Sequence, residues 1–315
     1  MLESKNQNFN HLKIHSQYSI CEGAVKIDEL KDFSKDNKIR SLGLCDSNNL
    51  CGALEFAEKI SKIGTQPIIG TQINFKYGDT IGLLPLYALN DDGYKRIIEL
   101  SSLSYLKNDE LSDPHLDLNE LLIKNSGVSL FSGTINGLFG RLFDKGKFTE
   151  IKELYSKLKS KFNDKFYLEI QRHGDQNELS FEKFNLDQSL KLKIPLIATN
   201  EVFYIQKEMH EAHDALICIK NKTYVNEKNR ERFSDQHYFK NNSEMSELFK
   251  DLPEALENNY NFPYRCSFRP LFSKPILPNI STEKGGEAEE IIRKDSLEGL
   301  KDKFKKIFNV ERNNV

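Results

Sequence analysis

The stretch SLGLCDSNNLCGALEFAEKISKIGTQPIIG, residues 41–70, carries the pattern on which the fold turns. Ser41–Cys45 is a short aliphatic run. Asn49–Ile63 then sets Leu54, Ala57 and Ile60 on one side of a helix, Gly64 supplies its stop, and a second apolar run opens at Pro67. The alternation extends both ways. Leu12–Ile14 lies upstream, and Pro67–Phe75, Leu83–Leu89, Val128–Phe131, Phe166–Ile170 and Pro195–Thr199 complete the expected strands. Most are continuous apolar runs, as strands covered on both faces require. Helical patterns fill gaps at Val25–Asn37, Glu150–Phe162 and Glu178–Leu192. Recurrent β then α predicts a parallel α/β sheet. The strand number, with no GxGxxG turn after the first strand, favours a barrel over an open doubly wound sheet.

Composition excludes several classes. The chain has 315 residues, with 45 basic against 47 acidic and a formal net charge of -2. A surface built to bind polyanions in bulk is therefore not indicated. Hydrophobic residues make up 38%, enough for a packed core and too many for disorder. Cys21, Cys45, Cys51, Cys218 and Cys266 form no CxxC pair, and an odd count in a chain this long reads as reduced thiols in a cytoplasm. The first residues, MLESKNQN, lack the apolar core of a leader, and no apolar run approaches the roughly 18 residues of a membrane span.

The character changes after Phe262. Pro263, Pro270, Pro275 and Pro278 bar a helix or a central strand, so the segment reads as a connector. Thr282–Phe308 then carries an apolar stripe through Ile291, Ile292, Leu297, Leu300, Phe304 and Ile307. The expected organisation is a barrel at 1–262, a connector at 263–281, and the opening of a further domain at 282–315.

In a parallel barrel, chemistry gathers where the strands finish. Reading past each strand gives His15, Asp46, Gln72, Ser132, Gln171 and His173, then Asn200 and Glu201. Two histidines, an aspartate and a glutamate on one rim are donors suited to a divalent metal. Polar side chains also end strands simply because solvent begins there.

Several strings carry a resemblance. His-Leu-Lys-Ile-His-Ser-Gln-Tyr-Ser-Ile (11–20) resembles the first motif of the polymerase and histidinol phosphatase (PHP) family, in the version that opens the alpha subunit of bacterial DNA polymerase III. The likeness continues in Gly-Leu-Cys-Asp-Ser-Asn-Asn-Leu-Cys-Gly-Ala-Leu-Glu-Phe (43–56), Pro-Ile-Ile-Gly (67–70) and Phe-Tyr-Leu-Glu-Ile-Gln-Arg-His-Gly (166–174). It runs on through Ala-Thr-Asn-Glu-Val-Phe-Tyr (198–204), Glu-Ala-His-Asp-Ala (211–215) and the helical residues 244–256. The resemblance implies a distorted (β/α)7 barrel, followed by a helical segment at 282–315 that begins a polymerase palm and thumb region.

In active members of the family, a cluster of divalent metals activates water against a phosphoester. The family's first motif supplies a His-x-His pair; here Lys13 takes the first place and His15 the second. The second motif reads Thr-Asp-His there and Cys45, Asp46, Ser47 here. Gln72 replaces an acidic ligand, and the histidine expected at the fourth strand falls near Leu83. His173 matches a ligand. In the late Asn-Asp-x-His motif Asn200 stands, Glu201 replaces the aspartate and Phe203 the histidine. The residual donors are thus His15, Asp46, His173 and Glu201, and the degenerate positions are Lys13, Ser47, Gln72, Leu83 and Phe203. Lys13 brings a fixed positive charge to where a cation would sit. Like charges about 4 Å apart repel by roughly 4 kcal/mol at an effective dielectric of 20. Lys13 is expected to pair instead with Asp46 or Glu201.

The resemblance therefore implies a hydrolytically inactive barrel. It would scaffold a polymerase core, dock a separate proofreading exonuclease and meet DNA only through the larger assembly. No cofactor is expected in these residues beyond weak residual zinc, manganese or magnesium. The magnesium of the full-length polymerase belongs to palm carboxylates that this stretch lacks. The alternative is a metal-dependent phosphoesterase, or a 3′–5′ exonuclease, within the barrel. Other features read as structural. His210 and His213 share a solvated helix face, Gly133, Gly137 and Gly140 form a turn with no P-loop lysine after it, and Lys157, Lys159, Lys161 and Lys165 form a solvated basic face.

Overall fold

Each apolar run of the sequence forms a strand in the computed structural model, which describes residues 8–108, 112–275 and 288–312. The strands are β1 (Lys13–Ile14), β2 (Ser41–Ser47), β3 (Gln66–Tyr77), β4 (Thr80–Ala88), β5 (Leu116–Asp117), β6 (Val128–Phe131), β7 (Phe166–Ile170), β8 (Leu196–Ala198) and β9 (Glu201–Val202). The helices of the strand-bearing part are α1 (Ile27–Asp36), α2 (Ala53–Lys62), α3 (Asp91–Leu106), α4 (Asn119–Ile123), α5 (Leu138–Asp144), α6 (Phe148–Phe162), α7 (Glu178–Leu192), α8 (His210–Asn221), α9 (Asn242–Leu248) and α10 (Pro253–Asn261). None of the described helices is long and apolar enough to cross a membrane.

The strands lie in the order β8-β7-β6-β4-β3-β2-β1-β9, with β5 beside β3. The sheet is mixed, which corrects the expectation of a parallel one. β4 runs antiparallel to both β3 and β6, while the other pairs along the path are parallel. The reason is local: β3 and β4 form a hairpin across Gly78 and Asp79, and Gly78 takes a φ of +59° that suits a tight turn.

Only Thr199 and Asn200 separate β8 from β9, the two ends of the path, so the sheet curls round into a distorted barrel. Asn259, from α10, stitches the seam. Its Oδ1 accepts from Asn10 N (2.8 Å), and its Nδ2 donates to Asn10 O (2.9 Å) and Ala198 O (3.0 Å), all buried. Asn259→Ala is expected to lower the unfolding free energy by roughly 2–3 kcal/mol, because it strands backbone groups of Asn10 and Ala198 in the core. Equilibrium urea unfolding reads this directly.

The barrel interior is layered. Leu12, Ile68, Tyr87, Phe131, Tyr167 and Ile197 pack together at one end, closed by Phe262 and Cys266. Phe262–Arg265 is a 3-10 turn held to the strands, with Gln66 Nε2 donating to Pro263 O and Cys266 O at 2.9 Å each. The first compact unit runs to Leu271, so the expected connector begins inside it; Phe262 and Cys266 are apolar and find room there. Residues 276–281 of that connector, and the expected helix start at Thr282, lie outside the described residues. Within the second unit, α11 (Ala288–Arg312) bears the predicted stripe, with Leu297, Leu300, Phe304 and Ile307 each about half exposed.

Candidate functional site

Side chains two apart on a strand share a face. Continuing from the apolar end, Tyr167 is followed by Glu169 and Gln171, Ile197 by Thr199, and Ile68 by Gly70 and Gln72. The interior thus turns polar toward the strand ends, as the parallel-barrel rule requires. Two cross-strand pairs assemble the centre. Lys13 on β1 lies opposite Glu201 on β9, and Ser47 on β2 opposite Gln72 on β3.

Lys13 Nζ is 3.1 Å from Glu201 Oε1 and 3.9 Å from Glu169 Oε1, with the lysine only 2% exposed. Burial alone would push the ammonium down, but Glu169 and Glu201 reverse this and hold it above its ordinary value. Burial likewise opposes the charge of Glu201, and Lys13 and then His15 overcome it, so this carboxyl sits well below the usual range. Glu169 goes the other way: burial raises it, and Lys13, its more distant partner, offsets only part. The tight ion pair is therefore Lys13 with Glu201. Of the two partners expected for Lys13, Glu201 is correct and Asp46 is not.

His15 Nε2 lies 3.0 Å from the same Glu201 oxygen, and its ring stacks on Phe203 with centroids 4.7 Å apart. Gln72 Nε2 donates to Ser47 Oγ (3.1 Å) and reaches Glu201 Oε1 at 3.5 Å. Asp46 is turned to the loop after β1. It accepts from Ser16 N (2.7 Å), Ser16 Oγ (2.8 Å) and Ser19 Oγ (2.7 Å), and Ser19 alone connects it to His15, at 3.4 Å from Nδ1. Burial raises the Asp46 carboxyl, and the serines counter this in part. His173 stacks face to face on His237 at 4.0 Å, with its Nε2 3.1 Å from Asn200 Oδ1 and 3.3 Å from Glu201 N. Burial, followed by the nearby Lys240, pushes His173 down to about 3.

The four donors expected to share one residual metal do not form one ligand set. His15 and Glu201 meet, but around an ammonium. Asp46 is spent on the loop, and His173 is packed into a ring stack. Among the described residues no three of His, Cys, Asp and Glu come together in a metal-holding arrangement. The donor set present does not fit the family's metal cluster.

A cleft of about 840 Å3 opens at this mouth, bordered by Lys13, Gln72, Leu83, Glu201 and Phe203, and farther out by Arg141, Asp175 and Arg232. Burial, then Glu178 and Glu201, push Asp175 up to about 6. Sequence reasoning missed Glu169, His237 and Lys240. The alternation Tyr167, Glu169, Gln171 could have revealed the first. The other two lie outside regular strands, with no periodicity to signal them. His213 corrects another expectation: it is buried, with Nε2 2.8 Å from Glu22 O and its ring stacked on Phe203.

Comparison with known proteins agrees with this architecture. The family profile described as "PHP domain" matches residues 11–173, from the residues before β1 through His173 after β7. The chain is 36% identical over 309 residues to the DNA polymerase III subunit alpha of Caulobacter vibrioides, covering 96% of this chain and 27% of that protein. It is 37% identical over 293 residues to that of Rickettsia conorii, covering 93% and 25%. With that of Borreliella burgdorferi it shares 34% over 313 residues, covering 95% and 26%. The chain thus spans about a quarter of the length of these curated relatives. With more than half of its residues under the profile, the chain belongs to the PHP domain family.

Proposed function

We propose that this chain is the PHP region of a DNA polymerase III alpha subunit, the DNA-directed DNA polymerase of replication, and that its barrel is a hydrolytically inactive scaffold. The observation that carries this reading is the Lys13 ammonium, 3.1 Å from Glu201 and beside His15, at the point where a catalytic cation would need open donors. Phosphoester hydrolysis of the family's kind needs several ligands free to bind metal in fixed geometry. Here the Glu201 carboxylate is already neutralised by that ammonium. The barrel would brace the polymerase core of the longer subunit and offer a surface to the proofreading exonuclease subunit. It would meet DNA only within that assembly, in the cytoplasm, where the five free cysteines would remain thiols. The whole polymerase would use magnesium at palm carboxylates elsewhere in its chain.

The cleft at the mouth keeps a second reading in view, that of a metal-dependent phosphoesterase or 3′–5′ exonuclease. One experiment separates the two. The purified protein is given a chromogenic phosphodiester and a 3′-labelled oligonucleotide with manganese or zinc, and its metal content is measured. Background turnover and less than one metal per chain are expected. Stoichiometric metal, with turnover abolished by His15→Ala, would overturn the scaffold reading.

A further inference from the structure

Two buried polar atoms, Glu169 Oε2 on β7 and Asn185 Nδ2 on α7, have no hydrogen-bond partner among the described residues. Both side chains are otherwise engaged and almost wholly buried. Glu169, 2% exposed, accepts at Oε1 from Thr199 Oγ1 (2.5 Å) and Gln171 Nε2 (3.1 Å). Asn185, fully buried, accepts at Oδ1 from Tyr155 OH (2.9 Å). One orphan is an acceptor and the other a donor, and a buried group of either kind is costly to leave dry. They border the same cavity, together with Thr134, Gln171 and Phe181. Its volume of about 10 Å3 is close to the least that admits one ordered water, which needs two to four polar partners. An organic ligand does not fit.

We propose that this cavity binds a single structural water, which accepts from Asn185 Nδ2 and donates to Glu169 Oε2. The water completes a line of hydrogen bonds from Tyr155 on α6, through Asn185 on α7, to Glu169 on β7. From there the line reaches Thr199 beside β8, and the Lys13 ammonium lies 3.9 Å away. With its second oxygen satisfied, Glu169 faces Lys13 as an anion, and two helices outside the barrel become coupled to the charge at its centre.

A double-mutant cycle tests this in the intact chain. Asn185 and Glu169 share no direct hydrogen bond, so strong coupling between Asn185→Leu and Glu169→Gln in the unfolding constant must pass through what fills the cavity they line. The lost bond from Tyr155 is common to both backgrounds and cancels. With the bridge, the double variant departs from the product of the single effects by about tenfold in urea unfolding; a departure under about twofold overturns the proposal. Should a variant fail to fold, a crystal structure of the unaltered protein at a resolution that shows ordered water decides. A peak within hydrogen-bond distance of both atoms supports the site. An empty cavity, or Asn185 Nδ2 bonded directly to Glu169, overturns it.

Discussion

Replacing Lys13 by methionine is expected to lower the unfolding free energy by roughly 3–5 kcal/mol, the usual cost of removing one partner from a buried ion pair. The shape of the side chain is nearly kept, so the loss is electrostatic. Glu201, at 3.1 Å, and Glu169, at 3.9 Å, are left as two buried carboxylates with no lysine between them. Adding Glu201→Gln to Lys13→Met should recover part of the loss, since one uncompensated charge goes with the other. Urea denaturation of wild type, both single variants and the double variant measures this. A Lys13→Met protein within about 1 kcal/mol of wild type would mean that water or a bound cation, and not the ammonium, neutralises the carboxylates.

Acid should unfold the barrel early. Burial pushes both His11 and His173 down to about 3, against an ordinary value of 6.5, so each is neutral in the fold. The unfolded chain binds these protons below pH 6.5 and the folded chain does not. Their contribution is therefore complete above pH 6.5 and shrinks as the pH falls toward the folded values. At pH 5 the loss is about 2 kcal/mol for each, or roughly 4 kcal/mol together. His237, held well below its ordinary value by burial and by stacked His173, adds in the same direction. Glu169 and Asp46, whose carboxyls burial raises, oppose the trend by taking up protons in the folded state. Urea midpoints from pH 8 to pH 5 should fall most steeply below pH 6.5, and His11→Asn should flatten the curve. A flat profile would mean that these rings are hydrated.

Much of the fold was legible because it rests on apolar runs and helical stripes. Ser41–Cys45, Val128–Phe131 and Phe166–Ile170 are short, mostly hydrophobic stretches and became β2, β6 and β7. Glu178–Leu192 matches α7. β5 and β9 were not legible, since two-residue strands leave no period to read. Strand direction was lost at Tyr77-Gly78-Asp79-Thr80, where a glycine between two apolar runs signals a hairpin rather than a crossover. At the mouth, resemblance gave the positions of Lys13, His15 and Glu201, and elementary electrostatics gave Lys13 a carboxylate partner without choosing between Asp46 and Glu201. The true surroundings of Asp46 could not be read. Its partners Ser16 and Ser19 lie in a loop whose path depends on the folded contacts of Glu22 with His213 and Lys220.

The stopper formed by Phe262 and Cys266 sets where the barrel can be trimmed. A fragment ending just before it would keep every strand, yet present the rings of Tyr87, Phe131 and Tyr167 to water as a greasy floor. Such a face invites self-association. An excision past Leu271 keeps the plug in its socket and leaves the vessel open at one end alone.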